Sequence, residues 1–391
     1  MLSNINENCD FCNSKIEHVY NPINSRRGME LYVCQNCGLL ESKPTRSYIS
    51  RPPGNMSSDA DRSSYRYTKT LVSDSYSDAM LEHIKPLQIN KILDIGSNRG
   101  AFFNWASDNL TFDSITCVET DGSIVDSYKN NPKVNLIINR IENINLDSNS
   151  YDFAFCVHTL EHALSAKNML QQIFDALKIG GRFFVAVPNL IWHKDVIEEF
   201  FIDPHTFHFN FYVLKEILEK TGFKIIHEGS PNGADAIFIL EKISNTFISS
   251  PGEMNFKKKI NIKNSINEYK NLISHNRKLI KDTVSFIHNH CKDGNKFFIW
   301  GAGRIFDAMV KFGELNKHEN LFLIDKFLSD MFDSSNGIKV NKPNEVKNII
   351  DEGSIVYVAS RDYKDEILLE ASEIGFKKSI VFGSNLSIKE I

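Results

Sequence analysis

No stretch of this 391-residue chain approaches the ~20 consecutive apolar residues that a membrane span needs. A basic excess is lacking too. The 45 Lys and Arg stand against 49 Asp and Glu, for a net charge of −4. No overall positive field therefore gathers nucleic acid or an anionic membrane. Met1 to Asn8 show neither the basic nor the apolar region of a secretory leader, so a cytoplasmic protein is expected. The phosphate-loop pattern G-x-x-x-x-G-K-[ST] is absent. Cysteine is sparse, seven in all. Cys117 and Cys156 lie in apolar, strand-like runs and read as small core residues, and Cys291 stands apart.

The other four cysteines stand together near the start, as Cys9-x2-Cys12 and Cys34-x2-Cys37. Two such knuckles suit one tetrahedral Zn2+ held by four thiolates. Disulfides are disfavoured without a leader, and nothing around the pairs resembles a thioredoxin-type redox motif. Four thiolates fill the zinc shell, so the metal is expected to be structural and to staple a small ribbon.

Composition and periodicity divide the chain. Residues 1–45 form the expected zinc-binding ribbon. Residues 46–66, rich in Ser, Pro, Gly, Asp and Arg, read as a linker. From 67 to 245, apolar runs alternate with helical patterns, as in a parallel α/β sheet. The runs are 91–96, 114–120, 135–139, 151–157 and 181–188. Residues 246–290 read as a connection and a helix with periodic apolar positions. A second α/β pattern fills 291–391, with runs at 296–303, 321–326, 354–360 and 379–383.

The run Leu93-Asp94-Ile95-Gly96-Ser97-Asn98-Arg99-Gly100 passes from a strand through a glycine turn into a helix. Such a turn lets a ligand approach the backbone, and the helix N-terminus behind it offers free N–H groups. Glu119 closes the next strand, where an acidic side chain can accept hydrogen bonds from ribose hydroxyls. That spacing suits NAD as well as S-adenosylmethionine, although the D-x-G-x-x-x-G form departs from the dinucleotide G-x-G-x-x-G.

Four pieces resemble class I S-adenosylmethionine-dependent methyltransferases: LDIGSNRGAF (93–102), VET (118–120), NRIENI (139–144) and FCVHTLEHALSAKNML (155–170) followed by LKIGGRFFVAVPN (177–189). The resemblance covers roughly residues 67–245. It implies a central Rossmann-like methyltransferase sheet. It also implies that Asp94, Gly96, Ser97 and Gly100 border the methionine part of the cofactor, that Glu119 holds the ribose, and that Arg140, Ile141 and Glu142 contact adenine. His158 would then lie near the sulfonium. His162, in the same H-x-L-E-H stretch, is a substrate-side candidate.

Residues 203–214 (Asp-Pro-His-Thr-Phe-His-Phe-Asn-Phe-Tyr-Val-Leu) resemble a segment that covers the active site in related methyltransferases. Histidine suits proton transfer near neutral pH, so His205 and His208 are candidate bases. Tyr212, near the end of that segment, is a substrate-side candidate. Tyr65 and Tyr67 precede the domain's first helix, which closes over the cofactor in the family.

Trp300-Gly301-Ala302-Gly303-Arg304 follows a strand and opens a helix, and Asp325 ends the next strand. With Phe306 in place of the third glycine, this suggests a second Rossmann-like domain with a nucleotide-type site at Gly301, Gly303, Arg304 and Asp325. The order of ribbon, methyltransferase and I-W-G-A-G domain resembles the sugar C-methyltransferases of deoxysugar pathways. That implies a nucleotide-linked sugar acceptor in deoxysugar or surface-polysaccharide synthesis. The 203–214 segment departs from the Glu-His pair of that family, with Asp203 and His205 the nearest substitute. An O-methyltransferase acting on a glycan or another small molecule therefore stays open. So do an RNA or protein methyltransferase docking through the ribbon, a nicotinamide enzyme using the second glycine turn, and a non-catalytic binding module. Neither nucleic acid nor membrane is an expected partner, and the oligomeric state is open.

Overall fold

The computed structural model describes residues 8–22, 25, 28–44, 72, 74–128, 131–191, 196–248, 262–330, 332–360, 363–384 and 386–391. Tyr65, Tyr67 and the 46–66 linker lie outside them. The chain divides into two compact units: residues 1–191 with 201–263, and residues 192–200 with 264–391.

In the first unit, β1 (Ile16–Tyr20), β2 (Glu30–Cys34) and β3 (Leu40–Lys43) form an antiparallel ribbon. A two-residue strand, β9 (Phe207–His208), extends it by pairing Leu40 with His208 and Glu41 with Phe207. The ribbon does not stand alone. Phe11, Leu39 and three of its cysteines share a core with Phe207, Phe209 and the central sheet.

That sheet comprises β4 (Lys91–Ile95), β5 (Ser114–Glu119), β6 (Val134–Ile138), β7 (Tyr151–Val157), β8 (Leu177–Pro188), β10 (Phe223–Glu228) and β11 (Asp235–Lys242). Its order is β10-β11-β8-β7-β4-β5-β6. The pairs among β4 to β8 are parallel, and β11 pairs antiparallel with β8 and β10. Side chains alternate across it. Ala154, Cys156, Phe183 and Val185 enter one core, while Phe153, Phe155 and Phe184 enter the other. This two-sided burial is why the strands read as nearly continuous apolar runs.

The first face carries α3 (Ala166–Ala176) and α4 (Phe211–Lys220). Ser165 caps α3 by accepting from the Asn168 N–H, and Asn210 caps α4 by accepting from that of Tyr212. The other face carries α1 (Asp74–His83) and α2 (Ala101–Asn109) through Tyr76, Met80, Phe102 and Ala106. The helix α3 ends at Ala176, and β8 starts at Leu177, ahead of the apolar run at 181–188 that marks it in the sequence.

The second unit begins with a 31-residue helix, α5 (Ile262–Lys292). It continues through β12 (Phe297–Trp300), α6 (Arg304–Gly313), β13 (Leu321–Ile324), β14 (Ser334–Ser335), β15 (Ile338–Asn341), α7 (Pro343–Val346), β16 (Ile355–Val358), α8 (Lys364–Ile374), β17 (Lys378–Val381) and β18 (Lys389–Glu390). Its sheet runs β14-β15-β13-β12-β16-β17-β18, with parallel pairs in the middle. Residues 192–200 belong to this unit. Ile197 enters its core, and Tyr269 donates its hydroxyl to Glu199. The molecule is thus α/β throughout, with two Rossmann-like sheets and a cysteine ribbon. Among the described residues no helix is long and apolar enough to cross a membrane.

Candidate active site

A cavity of about 340 Å³ opens at the carboxyl ends of β4, β5 and β7. Ligands favour this edge of a doubly wound sheet. Gly96 and Asn98 from the β4 turn, Glu119 from β5 and His158 from β7 line it, as do Arg140, Ile141 and Glu142. His162, Pro204 and Thr206 close one side.

The glycine turn is built for close approach. Gly96 sits at φ +73°, and a Cβ there would lie 2.0 Å from the Thr159 Oγ1. Tyr128 braces the same turn by donating its hydroxyl to the carbonyls of Ser97 and Asn98, both at 2.9 Å. Asp94 lies beneath, 1% exposed, and its Oδ2 has no hydrogen-bond partner among the described residues. Burial, reinforced by the Glu119 charge, pushes this carboxyl well above the usual range. Ser97 and Gly100 support the turn from behind and do not line the cavity.

Glu119 accepts from the backbone N–H groups of Asn98 (2.8 Å), Thr120 (2.7 Å) and Asp121 (2.9 Å). It is thereby fixed at the cavity wall. The Arg140 side chain donates to Glu142 (3.2 Å) and to the His162 carbonyl (2.9 Å), and Glu142 accepts from the Leu164 N–H (2.9 Å). This pair clamps the loop at 162–164 besides lining the cavity.

The four histidines of interest have different surroundings. His158 places Nδ1 3.7 Å from Glu161 Oε1 and Nε2 3.7 Å from Asp235 Oδ1. Asp235 also accepts the Tyr76 hydroxyl. Burial pulls the His158 imidazole down, but the neighbouring Glu161 carboxylate and the charge of Asp235 outweigh it and raise its pKa. Burial lowers His205 to about 4 despite the Glu161 charge. His205 stacks edge-on against His162 with ring centres 4.7 Å apart. His208 points away from the cavity. It is 3% exposed, and its Nε2 lies 3.0 Å from the Ser42 hydroxyl of the ribbon. Burial opposes the charge of Glu161, yet the three neighbouring imidazoles, His158 foremost, hold its pKa at about 2. Tyr212 is exposed at the first turn of α4.

Tyr76, Thr159, Glu161 and Asp235 did not emerge from the sequence as site residues. Glu161 stood inside the H-x-L-E-H stretch and was legible there. Asp235 and Tyr76 carry no local signal, because only folding brings them together.

In the ribbon, Cys9 and Cys37 sulfurs lie 3.5 Å apart, Cys12 and Cys34 sulfurs 3.4 Å, and all four fall within 4.8 Å of one another. Zinc–sulfur bonds of about 2.3 Å put tetrahedral sulfurs about 3.8 Å apart, so the donor set fits Zn2+. The N–H groups of Asn36 and Cys37 donate to the Cys34 sulfur, as a thiolate there requires.

In the second unit, a Cβ on Gly301 would meet the Ala359 carbonyl at 2.8 Å. The Asp325 carboxylate accepts from the N–H groups of Ala302 (3.0 Å), Phe327 (3.0 Å) and Leu328 (2.8 Å). Gly303 caps α6, and Arg304 is exposed, 3.9 Å from Glu198.

Residues 65–228 match the protein family described as a methyltransferase domain. No curated protein matches the chain. Among solved structures, an S-adenosylmethionine-dependent methyltransferase from Mesorhizobium loti is 12% identical, with a TM-score of 0.38 over 43% of this chain and 98% of that one. A further S-adenosylmethionine-dependent methyltransferase, from Methanosarcina mazei, is 16% identical, with a TM-score of 0.33 over 40% of this chain and 94% of that one. The [4+2]-cyclase SpnF is 13% identical, with a TM-score of 0.35 over 51% of this chain and 88% of that one. Residues 65–228 are thus a methyltransferase domain, for which the sequence resemblance implies S-adenosylmethionine as cofactor.

The residues around the cavity suit that cofactor. Gly96 and Asn98 bring the β4 turn to the cavity wall, with Thr159 packed against Gly96 where a Cβ would stand, Glu119 stands at the wall, and the orphaned Asp94 oxygen favours a cationic ligand nearby. Glu119→Ala is expected to weaken S-adenosylhomocysteine binding by about 10- to 100-fold, the worth of one or two charged hydrogen bonds. Calorimetric titration reads the affinity, and a thermal melt separates it from loosening of the turn. Unchanged affinity would remove Glu119 from the ribose site.

Proposed function

We propose that this protein transfers a methyl group from S-adenosylmethionine to a nucleotide-linked sugar, with His158 as the base that handles the acceptor proton. The observation that carries the proton-transfer role is the placement of His158 in the cavity wall between two carboxylates. The sugar acceptor is supported by the succession of cysteine ribbon, methyltransferase domain and second Rossmann-like domain in one chain. Structural zinc on Cys9, Cys12, Cys34 and Cys37 belongs to the same reading.

When bound, S-adenosylmethionine supplies an electrophilic methyl on a sulfonium, so much of the rate comes from alignment. The chain's residues do the aligning. Gly96 and Glu119 bind the methionine and ribose ends. Arg140 and Glu142 hold the 162–164 loop in place. His158 takes the proton from the acceptor atom, and Asp235 and Glu161 stabilise the imidazolium that results. A carbon beside a keto group and a sugar hydroxyl both lose a proton this way, so O-methylation is the second reading. His205 and His208, the other candidate bases, serve here as neighbours: His205 beside His162, and His208 as an anchor on the ribbon.

The test is calorimetric titration with S-adenosylhomocysteine and then with a panel of nucleotide sugars. Binding of both is expected. Binding of S-adenosylhomocysteine alone would move the acceptor away from nucleotide sugars, and binding of neither would leave a non-catalytic module. Turnover carries a second check. The neutral form of His158 is the base, and its pKa is raised, so the rate should climb with pH through a midpoint above the ordinary histidine value of about 6.5. Asp235→Asn removes one of the charges that raise it, so the midpoint should fall. A limb that stays in place would take the base elsewhere.

A further inference from the structure

We infer that Glu161, His162 and His205 bind a single divalent transition-metal cation on the acceptor side of the cavity. Its role in orienting an acceptor rests on the methyl-transfer reading above, but its existence does not. One ligand atom from each residue lies within 4.8 Å of the other two. A first-row ion bonds nitrogen and oxygen at about 2.0–2.2 Å, which puts ligand atoms about 3 to 4 Å apart. Small side-chain rotations close the difference.

The carboxylate provides the first argument. Glu161 is 2% exposed, and its Oε2 has no hydrogen-bond partner among the described residues. Its Oε1 lies 3.7 Å from His158 Nδ1 and 3.8 Å from His162 Nε2. Both separations exceed a normal hydrogen bond. The imidazoles face Oε1 and supply part of the counter-charge, but a buried oxygen left without a partner, as Oε2 is, stays costly unless a cation meets it. The Arg140 guanidinium is turned to Glu142 and the His162 carbonyl instead.

The orientation of His162 provides the second. Its Nδ1 lies 3.0 Å from the Pro204 carbonyl. A carbonyl only accepts, so Nδ1 carries the hydrogen. In the neutral ring Nε2 then presents a lone pair, and it faces Glu161 Oε1. Two acceptors face each other across a gap that a cation fills. A backbone carbonyl holding the far nitrogen is also how metal-binding imidazoles are usually oriented.

Rigid backbone holds the three ligands. Glu161 and His162 are adjacent in the 3-10 turn Leu160–His162. The segment bearing His205 is tied to that turn by the Thr206 N–H, which donates to the Glu161 carbonyl at 2.8 Å. Two imidazoles and a carboxylate leave coordination positions open, as in sites that admit a substrate oxygen. His162 lines the cavity, so a keto or hydroxyl oxygen of the acceptor can reach such a position. His158 stays on the other side of Glu161, between it and Asp235.

The test uses the full chain with its cysteines filled by zinc, titrated with Co2+ and followed by visible absorption. The expected result is one Co2+ per chain, with weak ligand-field bands and no thiolate-to-cobalt charge transfer. His162→Ala changes a partly exposed side chain and should leave the fold intact. It is expected to weaken Co2+ binding by at least the ~10–100-fold that loss of an outer-shell partner alone costs. Glu161→Gln should do the same. S-adenosylhomocysteine affinity of the same samples separates the two readings. Its absence with Co2+ uptake retained would sink methyl transfer and leave the cation site standing. No Co2+ uptake by the native chain, uptake only with thiolate bands, or undiminished uptake by His162→Ala would overturn the site.

Discussion

Gly96→Ala is expected to abolish S-adenosylhomocysteine binding. Two costs combine. The backbone at φ +73° disfavours any L side chain by about 1–2 kcal/mol. The new Cβ would also lie 2.0 Å from Thr159 Oγ1 and 2.9 Å from Thr159 Cβ. Thr159 cannot simply rotate away at no cost, because its hydroxyl donates to the Val157 carbonyl at 3.0 Å. The β4 turn must move, and it forms part of the cavity wall. Gly180→Ala is the control. That position has φ +80° with nothing within 4 Å of the added Cβ, so it carries the backbone strain without the clash. Calorimetry should show no binding for Gly96→Ala and near-native affinity for Gly180→Ala. Native affinity in both would mean that the turn does not hold the cofactor.

Cys34→Ser should remove the ribbon's zinc and cut turnover by about 100-fold or more, the cost of misplacing catalytic groups by an ångström. The reason lies in the pairing of β3 with β9. Ser42 donates its hydroxyl to the His205 carbonyl at 2.7 Å, its N–H donates to the Thr206 carbonyl at 2.8 Å, and its Oγ lies 3.0 Å from His208 Nε2. Through these bonds the ribbon holds the segment that carries Pro204 and Thr206 into the cavity wall. Without the metal that support loosens, while Gly96 and Glu119, on β4 and β5, remain in place. Metal content, turnover and S-adenosylhomocysteine affinity measured on the same samples decide it. Full turnover in a zinc-free variant would show that the ribbon does not position the segment.

The parallel sheets were legible because strands buried on both faces read as unbroken apolar runs such as Phe153-Ala154-Phe155-Cys156-Val157. The glycine turn was legible because its residues are adjacent in sequence. Other features depend on distant meetings. Asp235 reaches His158 only because β11 lies beside β8, and Tyr76 reaches Asp235 only because α1 packs on that face. The strand β9 has just two residues, too short for any period-2 pattern to show. The second glycine turn reads as a nucleotide-type signature, and its Asp325 accepts three backbone N–H bonds as Glu119 beside the first turn does.

The β3–β9 pairing also constrains the timing of assembly. The hairpins from β1 to β3 are local and can form as soon as they leave the ribosome. Ser42 and His208 are separated by 166 residues. At about 5–20 residues per second, the outer edge of β3 waits on the order of 10–30 s for its partner. Until then it is an open strand edge of the kind that invites mispairing. The edge is short and carries Glu41 and Lys43, which pair with each other at 3.0 Å. Charged side chains on a brief edge are what protects a nascent chain during such a delay.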